Sequence, residues 1–419
     1  MIKRTLSNEL LGSLGQAVTL QGWVRRIREV SAGLVFLIVA DRGGETQVVL
    51  SGSLTTQLPT VESVVEITGV VQTSRSRVFP HELAANQLTV LSQAEPLPFP
   101  INQAELGVGL DIMDKFRPLA LRHPLYQDVF RVQHRLLAHF AEFFSQQGFT
   151  RVSTPKMVAT GTEGGAELFK IDYFGETAYL AQSPQFFKQM LVGAGFERVF
   201  EMGPVFRAEA HHTSRHLNEF ISLDIEMGFV EDVNVLMDLE ESFLRSLLQD
   251  LHERFSTITI APELPTIPRL PLGEALGIIH REHGKVSEDG NIDPEGERLI
   301  CQWAEREHGV PAAFLHSYPR HIRPFYALPG VKNAGLTESF DLIFRGQEIT
   351  TGGLRQHQLN LLLESMRERG LTPEKYEFYL QVFRYGMPPH GGFAIGAERL
   401  TMQLLGLKNI REASVLPLM

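Results

Sequence analysis

Between Val18 and Ser92, apolar and polar positions alternate in short runs, VTLQGWV, GLVFLIVADR, TQVVLS, VVEITGVVQ and NQLTVLS, separated by Gly, Ser, Asp and Pro turns. A period of two turns one face of each run toward a core, which predicts the strands of a small barrel or sandwich. The proline-punctuated EPLPFPINQ, residues 95 to 103, reads as an extended linker and sets a boundary near residue 103. The period then changes. In RHPLYQDVFRVQHRLLAHFAEFFSQQG apolar residues recur at helical spacing and stop at Gly148, and DVNVLMDLEESFLRSLLQDLHERF predicts a second long helix. AYLAQS, RVFEMGPVFR, FISLDIEMGFV, SFDLIFRG and GGFAIGAE read as strands. Strands in runs between helices favour an antiparallel sheet flanked by helices over a doubly wound parallel one.

At 419 residues, 43% of them hydrophobic, the chain is longer than one core usually grows, so two domains are expected. No apolar run reaches membrane-spanning length, and the opening MIKRTLSNELLGSLGQ lacks the features of a secretory signal, so a cytoplasmic protein is expected. The single cysteine, Cys301, excludes an intrachain disulfide and a cysteine-cluster metal site, and reads as a buried small hydrophobe. Net charge is −10, which argues against nucleic acid as a partner. The distribution changes that picture. Residues 1–100 carry 8 Lys+Arg and 8 Asp+Glu, so all the acidic excess lies beyond them, and a neutral N-terminal module is free to meet a phosphate backbone.

Within that module, GWVRRIREVSAGLVFLIVADRGGETQVV places Trp23, Arg25, Arg26, Arg28, Phe36, Arg42 and Gln47 close together. OB-type barrels bind single strands by stacking bases on exposed aromatics beside basic side chains; the alternative is that Trp23 and Phe36 are core and the arginines a solvated face. Three later stretches carry chemistry. PVFRAEAHHTSRHLNEFISLDIEM, residues 204–227, reads as a strand ending in an arginine, a polar loop and a returning acidic strand, an arrangement that suits a nucleotide clamp or an ordinary long hairpin. Its His211, His212 and His216 match no closed zinc ligand spacing. FRGQEITTGGLR, residues 344–355, sets Glu348 seven residues after Asp341, two hard oxygen ligands suited to magnesium held mainly through phosphates. On one regular strand that separation would put them on opposite faces, and a bulge at Gly346 would re-aim one of them. Finally, GMPPHGGFAIGAERLTMQLLG brings a glycine-bearing strand into a helix with Arg399 near its start; it is neither a Walker loop nor a dinucleotide fingerprint.

In order, these stretches resemble the three motifs of the class II aminoacyl-tRNA synthetases. GFTRVSTPKM resembles motif 1, the dimer-forming helix and strand; VFRAE with its loop to Phe220 resembles motif 2; GAERL resembles motif 3. TEGGAELF and QSPQFFKQM resemble the mobile loop and substrate-binding segment of the aspartyl, asparaginyl and lysyl subgroup. FDLIFRGQEITTGGLR is similar to the pattern of its aspartyl branch. The resemblance implies an α+β chain: an OB-fold β-barrel that binds the anticodon over residues 1–98, a hinge over 99–125, and a class II catalytic domain over 126–419, an antiparallel sheet flanked by helices with a small insertion at about 255–330. It also implies a homodimer that joins L-aspartate to tRNA(Asp) through an aspartyl-adenylate, using ATP and Mg2+, without membrane attachment.

Carried onto this sequence, the resemblance makes Arg207 and Arg399 the catalytic residues, on the α- and terminal phosphates. Glu209 would meet the adenine amino group, Phe220 would stack on the ring, and Arg215, His216, Leu217, Glu348 and Gly396 would complete the ATP site. Asp341, Glu348 and Thr351 would hold magnesium. Glu163, Gln185, Lys188 and Asp224 would bind aspartate, with Arg355 on its side-chain carboxylate. Arg25, Phe36 and Gln47 would meet the anticodon. The interval between motif 2 and SFDLIF is too short for the large bacterial insertion domain and is similar to the compact archaeal form, which implies tRNA(Asn) as a second substrate. Gln347 replaces a glutamate, GGLRQH the family's SGAQRIH, and SVLPLM its FPRD ending. An asparaginyl-tRNA synthetase, an adenylate-forming amidating paralogue and an RNA-binding paralogue stay open as alternatives.

Overall fold

The computed structural model describes residues 4–161, 168–209 and 213–417. The chain forms two compact units, Met1–His123 and Pro124–Met419. In the first, β1 (Ala17–Ser31), β2 (Leu34–Asp41), β3 (Gly44–Ser51), β4 (Val64–Thr73) and β5 (His81–Ser92) close into a barrel in the order β1-β2-β3-β5-β4. Alternate residues such as Val35, Leu37 and Val39 fill it. Phe36, between them in sequence, therefore lies outside the barrel core, with the Arg28 guanidinium 5.1 Å from its ring centre. The stretch read as a linker packs on this unit: Phe99 and Ile101 are buried, Arg26 donates to the Asn102 carbonyl (2.9 Å), and α1 (Leu110–Lys115) and α2 (Arg117–Ala120) follow. The prolines break the secondary structure there, but the apolar residues between them still find a surface, so the division falls at His123 rather than near residue 103.

The second unit opens with α3 (Pro124–Gln146) and β6 (Thr150–Arg151). A small sheet of β7 (Met157–Val158), β8 (Lys170–Tyr173) and β9 (Glu176–Leu180) precedes α4 (Gln185–Leu191). Then come β10 (Arg198–Phe206), β11 (Glu219–Gly228), α5 (Val233–Arg254), β12 (Arg269–Pro271), α6 (Leu272–His283), α7 (Pro294–His308), β13 (Ala312–His316), β14 (Ser339–Phe344) and β15 (Gln347–Arg355). The chain ends with α8 (Leu359–Glu368), α9 (Glu377–Arg384), β16 (His390–Gly396) and α10 (Ala397–Leu405). The main sheet has the order β12-β13-β14-β15-β16-β11-β10-β6, antiparallel from β13 to β10 and parallel at both edges. The region expected as an insertion supplies the edge strands β12 and β13, and its helices pack over Ile343.

Period-two alternation gives this sheet one apolar and one polar face. Leu223, Ile225 and Met227 of β11, Phe393 and Ile395 of β16, and Phe340 and Leu342 of β14 pack on α3 and α5 through Leu136, Phe140, Phe144, Phe243 and Leu247. Their neighbours Ser222, Asp224 and Glu226, Gly392, Ala394 and Gly396, and Ser339 and Asp341 fall on the other face, because cross-strand partners share a side: Ser222 faces Gly396, Asp224 faces Ala394 and Glu226 faces Gly392.

The segment 339–355 corrects the reading of a single strand with a bulge at Gly346. It is a hairpin whose two-residue turn, Arg345 (φ 50°) and Gly346 (φ 84°), has the left-handed pair that suits tight hairpins. The bulge lies beyond the turn. Glu348 pairs with Ile343 and Thr350 with Leu342, leaving Ile349 unpaired on β14. Ile349 joins the apolar core, and Thr350 turns to the same side. Glu348 and Thr351 consequently share the polar face with Asp341, and so does Arg355. Without the extra residue, Thr351 and Arg355 would point into the core.

Gly392 stands where β16 passes the polar face of β11. A Cβ there would collide with the Ile225 carbonyl and the Glu226 carboxylate. Gly392→Ala should lower unfolding stability by about 2 kcal/mol or more, since forced overpacking costs roughly 1–3 kcal/mol and this contact is with backbone; an unchanged denaturation midpoint would disprove the close approach.

Candidate active site

The nine residues assigned to ATP by resemblance, Arg207, Glu209, Arg215, His216, Leu217, Phe220, Glu348, Gly396 and Arg399, line one cleft on the polar face together with Thr351. Arg207 directly follows β10 and its guanidinium lies 5.4 Å from the Phe220 ring centre. Arg399, in the first turn of α10, donates to the Glu348 carbonyl (3.0 Å) and reaches its carboxylate (3.4 Å). Arg215 is held by Glu297 of α7, whose carboxylate also accepts from the Glu348 backbone (3.3 Å). Burial pushes the Glu297 carboxyl up, against the pull of Arg215. Ser222 and Glu398 line the same cleft; Glu398 accepts from the Ile221 backbone (3.0 Å) and burial pushes its carboxyl up to about 7.

The aspartate candidates gather on the same face, around β11. Lys188 of α4 lies 2.9 Å from Asp224 and 3.4 Å from Glu226. Arg355 donates through Nε to Glu226 Oε1 (3.0 Å), and its Nη2 reaches Gln185 Oε1 (3.4 Å) and the Gly392 carbonyl (3.0 Å). Ser222 donates to the second oxygen of Asp224 (2.5 Å). All of these side chains are buried, which makes unpaired charge costly, and the two cations match the two carboxylates. Burial by itself would raise Glu226, but Arg355 and Lys188 hold it below the usual carboxylate range. Glu163 lies outside the described residues, as do His211 and His212.

At the magnesium candidates, Asp341 is buried and accepts a hydrogen bond from Arg323 (2.6 Å). Burial pushes its carboxyl up more than Arg323 pulls it down, and the nearby Glu348 adds to the push. Its Oδ1 accepts no hydrogen bond within the described structure, while Thr351 donates to Glu348 (3.2 Å) on the same face. Among the described residues no cluster of three His, Cys, Asp or Glu side chains could hold a metal alone. Two carboxylates and a hydroxyl therefore fit a hard cation that takes most of its ligands from phosphates.

In the barrel, Gln47 is buried and donates to Glu82 (2.6 Å). Arg25, expected at the anticodon, is buried. Its guanidinium is buried between Glu62 (2.5 Å) and the Arg122 carbonyl (2.9 Å), and the Arg122 guanidinium takes the other oxygen of Glu62 (3.0 Å), so pulling Arg25 outward would break one side of a buried charge cluster. Arg26 and Arg28 are the exposed basic positions on that strand.

Glu226 was missed in the sequence although its signal was present: it lies two residues after Asp224 and so shares its face. Glu297, Arg323 and His390 gave no local signal. His390, across the strand pair from Arg355, is buried, and burial pushes its imidazole down to about 4. The Pro388 carbonyl can only accept, so Nδ1 carries the proton (2.9 Å) and Nε2 accepts from Gln189 (2.8 Å), whose carbonyl takes the Tyr379 hydroxyl (3.1 Å). Imidazole NMR should therefore show one histidine neutral and Nδ1-protonated at pH 5.5. Titration of every imidazole near 6.5 would contradict this network.

Comparison with known proteins matches these observations. Residues 110–419 match the model of "tRNA synthetases class II (D, K and N)" and residues 18–91 that of the "OB-fold nucleic acid binding domain". The chain is 45% identical to an aspartate–tRNA(Asp/Asn) ligase of Deinococcus radiodurans, with 99% of this chain and 97% of that protein covered. It is 44% identical to the ligase of the same name from Thermus thermophilus, covering 99% and 98%. Among solved structures, asparaginyl-tRNA synthetase from Pyrococcus horikoshii complexed with asparaginyl-adenylate superposes with a TM-score of 0.92 at 29% identity, covering 100% of this chain and 98% of that one. Aspartyl-tRNA synthetase from Entamoeba histolytica gives 0.87 at 28%, covering 99% and 91%. With a catalytic domain matched over its length and a nucleic-acid-binding barrel before it, the chain belongs to the class II tRNA synthetases of the D, K and N group.

Proposed function

We propose that the chain is an aspartate–tRNA ligase that activates L-aspartate with ATP and transfers it to tRNA(Asp) and also to tRNA(Asn), as a cytoplasmic homodimer. The observation that carries the choice of amino acid is Arg355, buried at the end of the polar face with Lys188 nearby. A guanidinium offers parallel donors to a planar carboxylate, whereas the amide of asparagine would turn its own NH2 toward them. The tRNA scope is supported by the two relatives that are 44–45% identical, both aspartate–tRNA(Asp/Asn) ligases.

In this reading Asp224 receives the substrate ammonium and Arg355 its side-chain carboxylate. The α-carboxylate is thereby presented to the α-phosphorus, where Arg207 neutralises charge as pyrophosphate leaves. Phe220 and Glu209 hold the adenine, and Arg399 the terminal phosphate. Magnesium, bound by Asp341, Glu348 and Thr351, would neutralise phosphate charge. No protein nucleophile is required; positioning and preorganised charge supply the acceleration. The 3′-terminal ribose hydroxyl of the tRNA then attacks the aspartyl carbonyl and releases AMP, while Gln47 and Phe36 of the barrel read the anticodon.

Charging purified tRNA(Asp) and tRNA(Asn) with labelled aspartate and, separately, asparagine tests this reading. Aspartate should appear on both tRNAs and asparagine on neither; asparagine on tRNA(Asn) would overturn it. Arg355→Ala should lower kcat/KM for aspartate about 10²- to 10⁴-fold, the equivalent of about 3–5 kcal/mol for breaking a buried charge pair. An unchanged kcat/KM would remove Arg355 from the site.

A further inference from the structure

Behind the polar face, in the apolar core, stands one carboxyl that the reaction does not use. Glu240 of α5 is 0% exposed and pairs with no cation among the described residues; its Oε1 accepts the Thr350 hydroxyl at 2.5 Å. Its Oε2 has no hydrogen-bond partner within the described structure. Burial pushes the carboxyl up to about 8, so the side chain is largely uncharged at neutral pH. Burying a polar group costs free energy unless hydrogen bonds offset it, and here only one of the two oxygens is bonded, so the position calls for an explanation.

Its partner is distinctive. Thr350 is the residue that follows the unpaired Ile349, the second of the two consecutive residues that the bulge turns toward the core. Ile349 is seated by apolar packing, which leaves Thr350 as the polar member of the pair, with its hydroxyl aimed into α5. A β-branched residue with a hydrogen-bonded hydroxyl is locked at χ1, and with it the local strand orientation. A register slip by one residue would move the hydroxyl away from Glu240 and turn Thr351 and Arg355 off the polar face.

We infer that Glu240 is a positioning residue: through Thr350 it pins the bulge of β15 from behind, and so holds Thr351 and Arg355 in the register that the magnesium and aspartate subsites require. The inference rests on the ligase reading for those subsites, but the pinned bulge itself is a property of the fold. The adenine side of the cleft, carried by β10 and β11, lies outside its reach.

The test compares Glu240→Gln, Glu240→Leu, Thr350→Ser and Thr350→Val in the full chain. Glu240→Gln and Thr350→Ser keep the hydrogen bond and should retain aspartate KM and half-saturating Mg2+ within about twofold in pyrophosphate exchange. Glu240→Leu and Thr350→Val should raise both about tenfold while the calorimetric dissociation constant for AMP stays within about twofold. Hydrogen exchange of residues 347–355 should quicken in the same two variants, and the Glu240→Leu/Thr350→Val double variant should be no worse than the more impaired single one. If Glu240→Leu fails to fold, the near-isosteric Thr350→Val decides. Wild-type KM values and exchange rates in folded Thr350→Val would overturn the inference, as would weakening of AMP binding in step with aspartate. Absence of exchange in the wild type would retire the ligase reading alone, leaving the hydrogen-exchange comparison to judge the bulge.

Discussion

Side chains on a β-strand alternate, so residues an odd number apart lie on opposite faces unless an extra residue intervenes. Glu348 and Arg355 are seven apart on β15. The single unpaired residue, Ile349, puts both on the polar face of the sheet, with Thr351 beside Asp341. That register lets one strand present on the same face both Glu348, proposed for the ATP end of the cleft, and Arg355, proposed for the aspartate end. Every other strand of the site keeps strict alternation, with Leu223, Ile225, Phe393 and Ile395 facing the core and Asp224, Glu226, Gly392 and Gly396 facing the cleft.

The polar face is held together by charge arranged before any ligand arrives. Lys188 and Arg355 meet Asp224 and Glu226, Arg215 meets Glu297, Arg399 meets Glu348, and Arg323 meets Asp341. Arg207, Arg215 and Arg399 line the other end of the face. Fixed charges of this kind need little reorganisation when the reaction develops its own.

Much of this was legible in the sequence because periodicity carries it. The strands β10, β11 and β16 and the helices α3 and α5 follow from their spacing, and most residues lining the cleft fall on or beside motif 2, the segment 344–355 and motif 3. What was not legible depends on tertiary contact. The turn at Arg345-Gly346 looked like a bulge because a hairpin and a kinked strand share the same glycine signal. The true bulge, at Ile349, is an ordinary apolar residue. Arg25 was indistinguishable from Arg26 and Arg28 until Glu62, far away in sequence, claimed it. Glu297 holds Arg215 from a helix whose sequence marks only its amphipathic packing, and the residues between 95 and 103 read as linker although Phe99 and Ile101 are buried.

The central claim is that one face of one sheet, set in register by Ile349, holds nucleotide and amino acid together. The most direct measurement is a crystal structure with a non-hydrolysable aspartyl-adenylate analogue. The account predicts the adenine against Phe220, the ammonium at Asp224 and the side-chain carboxylate on the Arg355 guanidinium, with Ile349 still in the core. An analogue whose carboxylate lies away from Arg355, or a β15 whose pairing with β14 has shifted by one residue, would contradict it.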